Sequence, residues 1–349
     1  MERISKIGSP DQEAKAAAHE RWNRVAKPLG SLGLLEDVIE KIAAIQETAE
    51  VDISRRAVAV MCADNGVVCE GVTQSGSDVT AICAYAIADG KSNINALAGA
   101  FNADVFAVDI GIKQEISHPQ LQNKRIANGT GNIAAEPAMS LSQTENAISV
   151  GIDTVRDLSS KGYKIIVSGE MGIGNTTTSA AVASAILGLP PRETAGRGAG
   201  LDSAGLERKI AVIERALALH KPDANAPVEL ISKIGGFDIA GMTGLFLGGA
   251  IYKIPVVIDG VISAAAACLA CKIAPKSREY MLASHTSCEP SGAALLREIG
   301  LEAPINARLR LGEGTGGVLL LPLLDGALSV YYNAHKFDEL GIEGYTELK

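Results

Sequence analysis

The amino-acid sequence predicts an α/β fold in which helices flank a mostly parallel sheet. Three observations carry the prediction. Strand-length segments such as Ala57 to Cys62, Lys164 to Ser168 and Pro255 to Ile258 recur along the chain, as expected for strands buried on both faces. They alternate with longer segments of helical period, the pattern of a parallel sheet with crossover helices. Glycine reaches 37 residues, alanine is abundant and aromatics are only 4%, a mix that suits close packing of helix on sheet.

Asp11 to Val25 reads as a helix. Lys27 to Gly33 is a turn, and Ser31 is expected to cap a helix from Leu34 to Gln46. The run Ala57 to Cys62 ends in Asp64-Asn65-Gly66. Val79 to Ala98 reads as one helix and Asp104 to Gly111 as the next strand. Residues 112–140 lack periodicity and read as a long excursion serving the site or a subunit contact. Ser142 to Lys161 reads as a helix with an acidic start. The strand Lys164 to Ser168 then empties into Gly169-Glu170-Met171-Gly172-Ile173-Gly174. Helices follow over Thr176 to Leu187 and Leu201 to His220, the latter starting with Asp202. Glu229 to Lys233 leads into Gly235-Gly236-Phe237-Asp238. The strand Pro255 to Ile258 ends at Asp259-Gly260, and Tyr280 to Ala283 runs into Ser284-His285. Polar residues at such strand ends sit where open α/β sheets bind ligands.

The bulk numbers narrow the class. With 47% hydrophobic and 21% charged residues, the chain is a well-cored globular protein and not a disordered one. Its 349 residues allow one large domain with an appendage, or two domains. A formal charge of −8 opposes nucleic-acid binding through phosphate neutralisation. Met1 to Lys6 has no apolar signal-peptide core. Ile254 to Ile273 is interrupted by Asp259, Ser263 and Lys272, so it reads as strand plus helix and not as a membrane span. A cytoplasmic location is expected. Cysteines stand at 62, 69, 83, 268, 271 and 288. Cys268 and Cys271 lie in a helical alanine-rich stretch without a second pair, and are expected to be buried apolar residues and not metal ligands.

Two segments carry chemistry. Leu311-Gly312-Glu313-Gly314-Thr315-Gly316-Gly317 places one carboxylate among four glycines and a threonine. Packing explains such an acid poorly; a general base beside a small molecule explains it well, and a tight turn with a solvated glutamate is the alternative. Gly169 to Thr178 follows a strand and opens a helix, where free amides and the helix dipole favour a phosphate. It lacks the Gly-Lys-Ser/Thr of a Walker loop. Gly196-Arg197-Gly198-Ala199-Gly200 is a further glycine-rich loop before a helix, and Lys209 beyond it can supply positive charge, although taken singly it reads as a solvated helix residue. Ser287 or Cys288 near His285 raises a rival reading as a nucleophilic hydrolase, without the turn such a nucleophile needs. A second rival is a nucleotide-binding regulator without catalysis.

Several segments, in order from about residue 25 to 325, resemble the nicotinate-nucleotide:dimethylbenzimidazole phosphoribosyltransferase family. They are Lys27 to Gly33, Ala63 to Val68, Gly169 to Thr178, Gly196 to Gly198, Gly235 to Ala240, Asp259 to Ser263, Ser284-His285, Glu289-Pro290 and Leu311 to Gly316. The resemblance implies a Rossmann-like three-layer large domain at 30–325, and a small helical domain from residues 1–29 with 326–349. It also implies a homodimer, or a heterodimer with a paralogue, and no cofactor or metal, since no pyrophosphate leaves. The implied reaction moves phosphoribose from nicotinate mononucleotide to a base with inversion at C1′. By resemblance Glu313 is the general base, Glu170 the acid beside the ribose, and Lys209 the lysine near the nucleotide. Gly172, Gly174, Asn175, Thr176 and Gly198 resemble phosphate and ribose contacts, as do Leu311, Gly312, Gly314 and Thr315 around Glu313. Asp64 and Ser77 lie in the 64–80 region, which helps to line the base pocket in the family. There the chain has Asp64-Asn65-Gly66 where many relatives carry Asp-His-Gly. The acceptor is expected to be a benzimidazole. The alternative is phenol or p-cresol, which a variant of the family attaches through oxygen using two paralogous chains.

Overall fold

A computed structural model describes residues 3–346. Expectations touching positions 1–2 and 347–349 lie outside the described residues. The strands are β1 (Arg56–Ala63), β2 (Ala103–Gly111), β3 (Leu121–Asn123), β4 (Ile165–Met171), β5 (Val256–Ile258) and β6 (Met281–Ala283). They form one sheet in the order β3-β2-β1-β4-β5-β6, parallel at every pairing. The chain winds outward from β1 in one direction and from β4 in the other. The crevice for a ligand therefore lies outside the C-terminal ends of β1 and β4.

The helices are α1 (Gln12–Arg24), α2 (Leu34–Gln46), α3 (Asp78–Ala88), α4 (Asn93–Ala100), α5 (Leu141–Ser160), α6 (Asn175–Leu187) and α7 (Pro191–Thr194), then α8 (Ser203–His220), α9 (Pro227–Ile234), α10 (Phe237–Tyr252), α11 (Val261–Ile273), α12 (Gly292–Glu298) and α13 (Thr315–Asn333). β1 is buried along its whole length. Successive side chains of a strand point to opposite faces, so Ala57, Ala59, Met61 and Ala63 join the core under α5, α6, α10 and α11, while Val58, Val60 and Cys62 join the core under α2, α3, α4 and α13. This double burial is why the segment carries no polar alternation. The glycines of α5 and α10 let the two helices touch: a Cβ on Gly244 would lie 2.9 Å from the Cα of Gly151.

The chain ends meet. Trp22 of α1 packs edge-on against Tyr331 of α13 with ring centroids 4.9 Å apart, and Val25 bridges to Lys336. α13 runs unbroken from Thr315 to Asn333. It is long and apolar enough to cross a membrane by length and composition, and half of its most apolar window is buried in the fold. The stretch Ile254 to Ile273 is the strand and helix expected, β5 and α11.

Several local expectations are corrected. Val79 to Ala98 is two helices, because Gly90 takes φ +76° and Ser92 starts a new helix in a reciprocal cap with Asn95. Ser31 does not cap α2: the N-cap is Gly33, and the Glu36 carboxylate reaches back to the Leu32 N–H at 2.8 Å. α5 starts without an acidic first turn, in a capping box of Ser140 and Gln143. The excursion 112–140 contains β3, whose three residues are too few for a periodic signal. α10, buried at all but its last two residues, has no polar face and so no helical periodicity to read.

Candidate active site

Three loops converge at the ends of β1, β4 and β5. β4 delivers Glu170 and turns at Gly172–Gly174 into α6, whose N-cap Gly174 has φ +95°. β5 delivers Asp259, and β1 delivers Asp64 and Asn65. Gly169 packs flush against the Glu313 loop; a Cβ there would lie 2.6 Å from the Glu313 carbonyl oxygen.

Glu313 itself has φ +62°, between Gly312 at +90° and Gly314 at +91°. A left-handed backbone at a non-glycine residue is strained and clusters at functional sites. Asp259 holds this turn. Its Oδ2 accepts from the Gly314 N–H at 3.2 Å and its Oδ1 from the Gly317 N–H at 2.9 Å, so it caps the start of α13. Burial pushes Asp259 above the usual carboxylate range, while neighbouring His285 and the α13 amides oppose that rise. The Glu313 side chain crosses to α4, where Oε2 accepts from the Ile94 N–H at 3.3 Å. Glu313 is half-buried, and burial followed by the charge of Asp259 raises its proton affinity above an ordinary glutamate. A carboxylate with raised affinity that keeps access to solvent has the character of a general base.

Glu170 is 8% exposed. Its carboxylate accepts from the Asn175 side-chain amide, and its Oε1 lies against the backbone of Gly312. Asn175 Nδ2 also donates to Asp238 Oδ2 at 3.1 Å. Asn65 Nδ2 lies 3.4 Å from the same oxygen, and Thr178 Oγ1 is 3.3 Å from Asn65 Oδ1. Burial drives Glu170 well above the usual range, and the charge of Asp238 adds to it.

Lys209 of α8 is fully buried. Its Nζ donates to Thr176 Oγ1 at 2.8 Å and to the Gly196 carbonyl at 3.1 Å. Burial lowers it to about 8, with Glu289 opposing. Beside it, Gly172–Thr176, Arg197, Ala199, Leu201 and Val72–Ser75 line a small cavity of about 80 Å³. Gln74 closes it by donating to the Gly200 carbonyl. The arrangement offers a helix N-terminus, hydroxyls and a lysine to an anionic group, next to a base on a second loop.

A family model described as phosphoribosyltransferase matches residues 7–342. The chain is 41% identical over 342 residues to the nicotinate-nucleotide–dimethylbenzimidazole phosphoribosyltransferase of Acetivibrio thermocellus, covering 98% of this chain and 97% of that one. It is 43% identical over 347 residues to the enzyme of the same name from a Roseiflexus species, covering 99% and 98%. The chain belongs to this phosphoribosyltransferase family. The crystal structure of CobT from Thermus thermophilus superposes with a TM-score of 0.90 at 37% identity, covering 95% of this chain and 99% of that one. The α/β fold and the activity as a phosphoribosyltransferase are thereby established.

Of the residues singled out in the sequence, Glu170, Asn175, Gly312, Glu313, Gly314 and Thr315 meet at one junction, and Gly172, Gly174, Thr176, Gly198 and Lys209 surround the neighbouring loop. Asp64 neighbours that loop through Thr80, whose Oγ1 accepts from the Ile173 N–H at 3.1 Å. Its Oδ2 takes the Lys113 N–H at 2.7 Å, while Oδ1 is buried without a partner. Ser77 stands at the N-terminus of α3 without a side-chain cap bond, and Leu311 is 56% exposed. The site residues read from the sequence do not include Asp238 and Asp259; their signal is an acid two residues after Gly236 at the start of α10 and an acid directly before Gly260 at the end of β5. The hydrolase reading finds little support. His285 Nδ1 pairs with Ser284 Oγ at 3.0 Å, and Cys288 is exposed. Among the described residues, no hydrogen bond joins His285 to Ser287 or Cys288.

Proposed function

We propose that this phosphoribosyltransferase moves the phosphoribosyl group of nicotinate mononucleotide to a benzimidazole with inversion at C1′. The products are an α-riboside 5′-phosphate and nicotinate, and the product serves cobamide nucleotide-loop assembly. The observation that carries the reading is Glu313, a half-buried carboxylate on a strained loop that packs on Glu170 at Gly312, anchored by its side chain to α4. The α6 N-terminus and Lys209 take the 5′-phosphate, with Thr176 and the Gly196–Gly200 loop beside them. Glu170 sits at the ribose. The acceptor nitrogen attacks C1′ from the face opposite the departing pyridine nitrogen, and its proton passes to Glu313. A general base contributes about 10²–10⁴-fold in rate. Both relatives cited above are named for the same donor and acceptor.

A phenolic acceptor is the second reading. The Val72–Ser75 segment, part of the 64–80 region in which this chain departs from the family's Asp-His-Gly, folds over the nucleotide loop, tied down by Gln74 and by Arg208, which donates to the Gly71 carbonyl at 2.9 Å. A chain altered there is a candidate for an altered acceptor. In either case the protein works in the cytoplasm as a homodimer, or as a heterodimer with a paralogue, with the two chain ends forming a small helical domain.

A product assay decides. The purified chain is incubated with nicotinate mononucleotide and, separately, dimethylbenzimidazole, adenine, phenol and p-cresol. A riboside phosphate from dimethylbenzimidazole supports the first reading and product from the phenols the second. No product with any acceptor, with or without a paralogous chain, overturns both.

A further inference from the structure

Asp238 and Glu170 come from distant parts of the chain, yet both carboxyls use one amide nitrogen, Asn175 Nδ2. Asp238 is fully buried and Glu170 nearly so. Among the described residues, neither has an arginine, lysine or histidine partner in a hydrogen bond or ion pair. Also facing Glu170 are the loop backbone at Gly312 and the acid Asp259, which has His285 as a charged neighbour when that imidazole is protonated. Those facing Asp238 are the Asn65 amide and the Ile239 N–H, at 2.9 Å.

Two carboxylates in such a setting do not both ionise, because neither the desolvation nor the mutual repulsion is compensated. The three N–H donors around Asp238 favour its charged form, and burial raises it only to about 6. Glu170 has one donor, the Asn175 amide, and a second acid nearby, and is driven further up.

We propose that Asp238 is a positioning residue that keeps Glu170 protonated at neutral pH, so that Glu170 meets the nucleotide as a hydrogen-bond donor and not as a carboxylate. The inference rests on the reading of the site as a nucleotide site. A nucleoside monophosphate is anionic, and an ionised Glu170 beside it would repel it. A neutral carboxyl instead offers an O–H to a ribose or phosphate oxygen, while the Asn175 amide holds its orientation.

The test uses the whole protein in two arms. Infrared pH titration of the free protein needs no substrate. A protonated-carboxyl band at pH 7 is expected in the wild type and is lost in Glu170→Gln. Asp238→Asn moves its midpoint down by about one pH unit or more, the size of a neighbouring-charge effect. A wild type without the band, or a band that survives Glu170→Gln, overturns the proposal. So does a midpoint unmoved in Asp238→Asn. If that variant does not fold, Asn65→His, which sets an imidazole against Asp238, is expected to shift the midpoint in the same direction. The kinetic arm compares side chains at 170. Glu170→Gln, a neutral donor of the same shape, raises the nucleotide KM less than tenfold, whereas Glu170→Ala raises it about tenfold or more, the loss of one hydrogen bond in a buried site. Equal losses in the two variants overturn the donor role. Absence of all turnover in the wild type sinks the functional reading while the infrared arm still decides the proton.

Discussion

Glu313 and Glu170 meet across Gly312: the glycine backbone next to Glu313 packs on the Glu170 carboxyl, while the Glu313 side chain turns away to the Ile94 N–H. One residue therefore ties two acids of different character. Glu313 reaches toward solvent, and Glu170 is shut in by Gly312, whose Cβ, if it had one, would lie 2.6 Å from Glu170 Oε1.

Replacing the base isolates it. Glu313→Gln keeps the shape and the contact to Ile94, so the variant folds and binds nicotinate mononucleotide, and loses turnover by about 10²–10⁴-fold. In the wild type, proton affinity raised by burial places the acid limb of kcat above the range of an ordinary glutamate. Turnover falls as pH drops through that value, because the base form is lost. Wild-type turnover in the variant rules out Glu313 as the base; steady-state kinetics and nucleotide titration measure both.

Asp259 is the anchor of the turn. Asp259→Ala removes the acceptor of the Gly314 and Gly317 N–H groups. Loss of such a cap costs about 0.5–2 kcal/mol. A larger fall in kcat than in nucleotide affinity is expected, since the base is displaced and the phosphate loop is not. Denaturant melts and kinetics of the same variant separate the two effects.

Lys209 titrates near 8 because it is buried. Its folded value lies below that of a free lysine, so it carries charge below about pH 8 and loses it above. The kcat/KM for the nucleotide is expected to fall as pH rises through about 8. Lys209→Met flattens this limb and lowers kcat/KM at neutral pH. A limb that persists in the variant assigns it to another group.

The break between α3 and α4 carries a functional load, because it creates the helix start that holds Glu313. Ser92→Ala removes half of the reciprocal cap with Asn95. Stability is expected to drop by about 1 kcal/mol, with kcat reduced and nucleotide KM unchanged. Equal losses in kcat and KM in this variant would separate α4 from the base.

Much of this was legible in the chain. Continuous apolar runs ending in polar residues marked β1, β2, β4 and β5, and an acid among glycines marked Glu313, because both signals are local: strand burial and close backbone approach act on neighbouring residues. Asp202 capping α8 was readable for the same reason. The break at Gly90 was not, since alanine-rich residues on both sides favour helix and only the cap at Ser92 marks the restart. Nor was α10, which is apolar all round. By itself the sequence determined the strand–helix alternation, the glycine loops and the identity of the acids. Tertiary structure alone decided which acids share an environment: Asp238 with Glu170 across one amide, and Asp259 beneath Glu313. Those pairings join residues far apart in the chain, and proton affinity depends on burial and neighbouring charge, which exist only once the strand ends converge.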